Sequence, residues 1–206
     1  MDPATNTASD FASGISSPVW LALGPDGCLY YLAQGNNGQV FKISAIQAQA
    51  VNISSRSSVG LGDNVMIGGF IITGNAAKKV LILGIGPSSN VPGFLIDPFL
   101  ELHGPGGMLV TNDNWKIPQQ TDIANTGLAP GSDSESGILI TLQPGPYTAI
   151  LKGQGGGTGV GVVEVFDLDA AAASKLANIS TRSFVQSFDN RLFGGFILAA
   201  TTEGES

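Results

Sequence analysis

The feature that most constrains this chain is a motif written twice. Residues 52–72 read N-I-S-S-R-S-S-V-G-L-G-D-N-V-M-I-G-G-F-I-I, and residues 178–198 read N-I-S-T-R-S-F-V-Q-S-F-D-N-R-L-F-G-G-F-I-L. At a single offset of 126 residues, without gaps, the two agree at 12 of 21 positions. Self-similarity at a fixed offset marks a repeated structural unit. Here the period is that of a whole domain. The sequence therefore predicts one complete unit over 51–168 and, over 177–198, the opening strands of a second.

Composition decides what kind of unit this is. Charged residues make up only 12% and glycine 29 of the 206 residues, a balance that suits short strands joined by tight turns better than helical bundles. The net charge of −7, with nine Lys and Arg and no basic run, makes nucleic acid and anionic membrane poor partners. The longest apolar stretches, 65–72 and 79–85, fall short of the ~20 residues that a membrane helix requires. Cys28 is the only cysteine, which excludes an intrachain disulfide. Met1-Asp2-Pro3 opens neither the basic nor the apolar region of a signal peptide. Both ends read as cut from a longer protein.

Residues 1–14 are small and polar and are expected to fray. Over 15–44, apolar runs flank Gly24-Pro25-Asp26-Gly27 and Gly35-Asn36-Asn37-Gly38, which predicts a three-stranded meander. Residues 44–50 read as a linker. The complete unit then reads as eight strands: 51–57, 64–73, 78–85, 96–103, 107–112, 137–143, 146–152 and 159–168. Leu100 and Leu102 alternate with Glu101 and His103; Ile138, Ile140 and Leu142 share one face, as do Tyr147, Ala149 and Leu151. Residues 113–136 form the one long connection, and 169–176 read as a short helix or a linker.

Few side chains suggest chemistry. His103, the only histidine, has no activated serine to serve and reads as an exposed strand-end residue. The calcium candidate is the loop cluster Asn112, Asp113, Asn114, Asp133 and Glu135, because hard cations take several loop oxygens. Asn and Asp bonding their own backbone in turns is the competing reading. Trp115 is a candidate platform for stacking a sugar ring, against the alternative of a core cap whose N–H meets a loop carbonyl. The run Gly153–Gly159 lacks the lysine of a phosphate loop and reads as a hairpin connection. Arg56 and Asp63 recur as Arg182 and Asp189, which suggests an ion pair or turn clamp within each copy.

Two resemblances attach to these residues. The stretch F-A-S-G-I-S-S-P-V-W-L-A-L-G-P-D-G-C-L-Y-Y-L-A-Q-G-N-N-G-Q-V-F-K-I-S, covering 11–44, resembles the last propeller blade of the glucose/sorbosone dehydrogenase family. That family uses a quinone cofactor and a catalytic histidine, neither of which has a counterpart in this stretch. The run from Asp97 to Leu168, with N-I-S-T-R and G-G-F, resembles modules at the C-termini of secreted, multi-domain bacterial proteins. More distantly it is similar to the bacterial pre-peptidase C-terminal domain, a jelly-roll sandwich.

The expected chain is all-β: a propeller-blade remnant, an antiparallel jelly-roll-like sandwich, and a partial second sandwich repeat. The resemblance implies a non-catalytic accessory module, secreted or on the cell surface, that binds carbohydrate or surface polymer or acts as a spacer. It needs no cofactor, with calcium as the one candidate ion. The alternatives are a fragment of a quinone-dependent sugar dehydrogenase and a structural assembly module. The second copy presents apolar strands without the body that should cover them. It is expected to pair with the meander or a sandwich edge in its own chain, or else to make a homodimer.

Overall fold

The computed structural model describes residues 17–25, 28–34, 38–43, 47–185 and 191–201. The expected tail at 1–14 and the Asp26-Gly27 tip lie outside the described residues. The chain divides into two compact units.

The first unit is the expected meander. Strands β1 (Pro18–Leu23), β2 (Leu29–Ala33) and β3 (Gln39–Ile43) pair antiparallel in sequence order. The Gly24 amide donates to the Cys28 carbonyl at 2.8 Å and closes the first turn. Gly38 enters β3 at φ +74°, a conformation open to glycine at no steric cost. Tyr31 and Phe41, directly paired across β2 and β3, stack with ring centroids 5.0 Å apart.

The second unit, Ala48–Thr201, contains the whole sandwich and both copies of the motif. Its strands are β4 (Gln47–Val59), β5 (Met66–Gly74), β6 (Lys78–Ile85), β7 (Pro98–Gly104), β8 (Gly107–Asn112), β9 (Ser136–Leu142), β10 (Gly145–Gly153), β11 (Gly159–Asp167), β12 (Ser174–Arg182) and β13 (Phe193–Thr201). All ten belong to one antiparallel sheet in the order β8-β7-β10-β5-β12-β4-β11-β6-β9, with β13 added on β4. The sheet curls until its ends meet: Asn112, the last residue of β8, accepts the Gly137 amide at the start of β9 at 2.8 Å. The result is a sandwich-like, nearly closed barrel.

Alternation puts the expected residues inside. Leu100, Leu102, Leu151 and Met66 are fully buried, and Phe70 stacks on Tyr147 at 5.6 Å. Strand β6 is buried on both faces, which is why its sequence is a continuous apolar run. Its outer face carries Leu81, Leu83 and Ile85, and these pack under Trp115 and Ile123 of the long connection. That connection is therefore not bare loop. It contains α1 (Gln120–Ala124), which presses the fully buried Ile123 onto the sheet.

Most strand ends lie within one or two residues of expectation, and the larger departures are at 47–50 and 169–176. β4 begins at Gln47, inside the predicted linker, because Ala50 pairs with Leu176 of β12. Residues 169–173 form a turn rather than a helix, with the Ala172 amide on the Asp169 carbonyl, and β12 already starts at Ser174. A buried lysine sets this turn. Lys78 Nζ donates to Asp167 at 2.7 Å and to the Asp169 carbonyl at 2.7 Å, with both side chains of the ion pair wholly shielded from solvent.

The second copy does not stand apart as a domain; it is woven into the first. Strand β12, from copy two, pairs with β5, from copy one, and β13 pairs with β4. Each copy thus contributes its first strand to the other's second strand. The two first strands then lie face to face with equivalent residues in contact. The hydroxyls of Ser55 and Thr181 meet at 2.5 Å, as do those of Ser57 and Ser183. Both pairs are separated by 126 residues, the motif's own offset. Two successive pairs of equivalent side chains touch because these parts of β4 and β12 face each other across the interior, while their edge pairing is confined to Leu176 with Ala50. The exchange is reciprocal.

Side chains repeat the same symmetry. Ser180 lies opposite Gly69, where a Cβ would collide with its hydroxyl. In the other half of the exchange, a Cβ on Gly195 would stand 3.1 Å from the Ser54 hydroxyl. Arg182 pairs across from Ile67, and the Arg56 guanidinium lies over the ring of Phe193, the residue equivalent to Ile67. The recurrence of N-I-S with G-G-F has a physical reason: the second glycine leaves room for the other copy's serine. The exchange is not perfect. Asn178 takes φ +62° within a register shift between Ala177 and Ser180, whereas the equivalent Asn52 is buried in regular strand.

Candidate functional site

Each residue of the predicted calcium loop has a structural partner. Asn112 donates to the carbonyls of Asn114 and Ile117 at 3.2 and 2.7 Å while accepting the Gly137 amide, so it pins the start of the long connection to β9. Glu135 is fully buried and accepts from the amides of Gly86, Ser88 and Ser132 at 2.9, 2.9 and 3.1 Å, and from the Ser88 hydroxyl at 2.7 Å. It ties the turn after β6 to the end of the long connection. Asp133 is exposed and pairs with Lys116 at 2.5 Å. Asn114 donates to one oxygen of Asp113 at 3.1 Å.

Asp113 keeps one buried oxygen without a partner, and Asp97 lies near enough to feel it. Burial, and then repulsion from Asp113, raise the Asp97 carboxyl above its usual range. Among the described residues, no three His, Cys, Asp or Glu side chains converge as metal ligands.

Trp115 takes the capping role. Its ring is 6% exposed, its Nε1 donates to the Ser132 carbonyl at 3.0 Å, and Lys116 Nζ sits 5.5 Å from the ring centroid. An indole turned under the loop offers no open face to a sugar. His103 lies with Glu101 and Lys152 on the outer face of the sheet. Lys152 bonds Glu101 at 2.7 Å, and His103 Nε2 is 3.4 Å from the same carboxylate. The bond from Lys152 lowers the Glu101 carboxyl below its usual range, outweighing partial burial; His103 adds to the lowering.

A concavity lies where the two copies meet. A cleft of about 640 Å³ is bordered by Ser54 and Arg56 of β4, Glu164 and Phe166 of β11, Phe193 of β13, and the turns at 88–91 and 128–131. The sequence suggested that Arg56 clamps its own copy; its guanidinium instead lies 4.2 Å from the ring centroid of Phe193, in the other copy. Glu164 faces outward between Val162 and Phe166. Burial raises its carboxyl above the usual range, and the Glu135 carboxylate adds to the rise. An aromatic ring, a guanidinium and a partly desolvated carboxyl beside apolar walls can hold a ligand that is both hydrogen-bonding and apolar. Sequence reasoning missed this cleft because its parts come from strands and turns scattered along the chain, from Ser54 to Gly195. The one signal was Phe193 standing where copy one has Ile67.

No protein-family model matches this chain, and no curated protein matches it.

Proposed function

We propose that this chain is a non-catalytic accessory module of a secreted or cell-surface bacterial protein, and that it acts as a spacer in which neighbouring copies of one fold share their opening strands. The secreted and bacterial parts of this reading rest on the resemblance of residues 51–168 to modules of such proteins. The spacer role rests on one observation: equivalent hydroxyls of the two motif copies touch, Ser55 with Thr181 and Ser57 with Ser183. A linker joining beads would leave the second copy independent. Exchanged strands make a stiff joint, because parting two modules means breaking sheet pairings on both sides at once.

Hydrogen exchange of the full chain tests this reading. The amides of 180–182, which pair with β5, are expected to exchange as slowly as those of β5 itself. Exchange at the rate of an unfolded peptide would remove the basis for the spacer role.

A second reading, binding of carbohydrate or surface polymer, is favoured by the cleft. Arg56 over Phe193 and the Glu164 carboxyl give hydrogen-bonding groups beside an aromatic edge. Calorimetric titration with neutral and acidic oligosaccharides checks it: binding that Arg56→Ala and Glu164→Gln each weaken supports the reading. Binding unaffected by both variants places the ligand elsewhere.

A further inference from the structure

The geometry points to a docking surface on β13 for the body of another module of this same kind, arranged in tandem. This inference rests on the spacer reading and names the partner that the joint accepts.

Copy one supplies the template. Its second strand, β5, turns Met66, Phe70 and Ile72 inward, at 0%, 2% and 1% exposure. The cover is supplied by β10, which pairs along the edge of β5 and sets Tyr147 against Phe70. β13 is the equivalent strand of copy two. It pairs with β4, and the sequence keeps the same apolar pattern, with Phe196 and Leu198 in the strand and Leu192 just before it at the places of Phe70, Ile72 and Met66. Yet Phe196 and Leu198 are 66% and 57% exposed. A strand with a core pattern but no core beside it is a contact surface.

The symmetry of the exchange identifies the occupant. The correspondence that sets β12 in the place of β4 and β13 in the place of β5 also sets a body like that of copy one, residues 75–168, on the open side of β13. A strand with the pattern of β10 would then pair with β13, and a tyrosine at the place of Tyr147 would stack on Phe196. A strand like β11 would pair with β12 as β11 pairs with β4. Both layers of the sandwich would run unbroken through the joint. A generic apolar partner would satisfy the exposed rings, but it would not match the register that G-G-F already fixes.

The test extends the full chain by its own body. Residues 75–172 are joined after residue 200, the position equivalent to Gly74, in place of residues 201–206. The expected result is that β13 amides gain protection to within about tenfold of that of β5. In the extended chain, Phe196→Ala lowers the melting temperature about as much as Phe70→Ala does; in the unextended chain it does little. An appended body that folds while β13 stays labile and Phe196→Ala stays silent overturns the inference, and so does a body that fails to fold. Either failure leaves the spacer reading standing if 180–182 remain protected in the unextended chain. If those amides are unprotected, the reading falls first.

Discussion

Two stretches of nearly the same sequence meet different fates in this molecule. Phe70 is 2% exposed and stacked on Tyr147; Phe196, its equivalent 126 residues later, is 66% exposed. The difference does not lie in the strands, whose apolar patterns match. It lies in their cover: β10 pairs along β5, whereas β13 is paired with β4 alone among the described strands. The copies therefore have the joint in common, not the core. Their serines, arginines and paired glycines serve the exchange, while Phe70 alone of the two phenylalanines is packed into a core.

The largest effect that can break this comparison is truncation at the two phenylalanines. Phe70→Ala is expected to cost about 3–5 kcal/mol in denaturant unfolding, as large core truncations do. Phe196→Ala should change stability by less than about 0.5 kcal/mol, the range for surface positions. Equal costs would mean that β13 is buried after all. Of similar size is the anchor that aims copy two at copy one. Lys78→Met leaves Asp167 buried without its cation, and losing one partner of such a pair costs about 3–5 kcal/mol. Removing both charges with Lys78→Met and Asp167→Leu should recover much of that loss.

Next come the glycines. Gly69→Ala drives a Cβ into the Ser180 hydroxyl and is expected to cost about 1–3 kcal/mol. Gly195→Ala, with 3.1 Å to Ser54, should cost clearly less. Ser180→Ala in the Gly69→Ala background should restore part of the stability. Without that rescue, the clash is not with the other copy.

The smallest effect is electrostatic and sharpens the account of the cleft. Burial, with Glu135 adding repulsion, raises the Glu164 carboxyl in the folded state above its unfolded value. The native state then binds more protons than the unfolded chain between those two values, so stability falls as pH rises through that window. Glu164→Gln should remove this contribution and slightly stabilise the protein at neutral pH. A stability profile that keeps its slope in the variant would assign the titration to another group.

Much of the fold was legible in local pattern. The alternation of Leu100 and Leu102 against Glu101 and His103 placed β7, and the run at 79–85 marked β6. The turns of the meander announced its three strands. The parity of β6 also hints at a buried lysine: Lys78 stands two residues before Val80, on a face that is buried. Its partner, Asp167, is 89 residues away, and no local pattern announces such a pair. Trp115 and the loop carboxylates were ambiguous for the same reason. Whether a polar loop residue faces solvent or a buried amide depends on strands distant in sequence, as Glu135 shows by capping the turn at 86–88. The repeat itself was plain; that its two halves trade strands was not, because a repeated sequence is equally compatible with independent copies.

Crosslinking equivalent positions of the two copies tests the exchange most directly. In a Cys28→Ser background, Ser57→Cys and Ser183→Cys put two thiols where two hydroxyls now touch, within reach of a disulfide. The account predicts rapid oxidation to an intrachain disulfide in the folded monomer at high dilution, with a raised melting temperature. Two thiols that stay free under the same oxidation, or that link only between chains, would contradict the strand exchange.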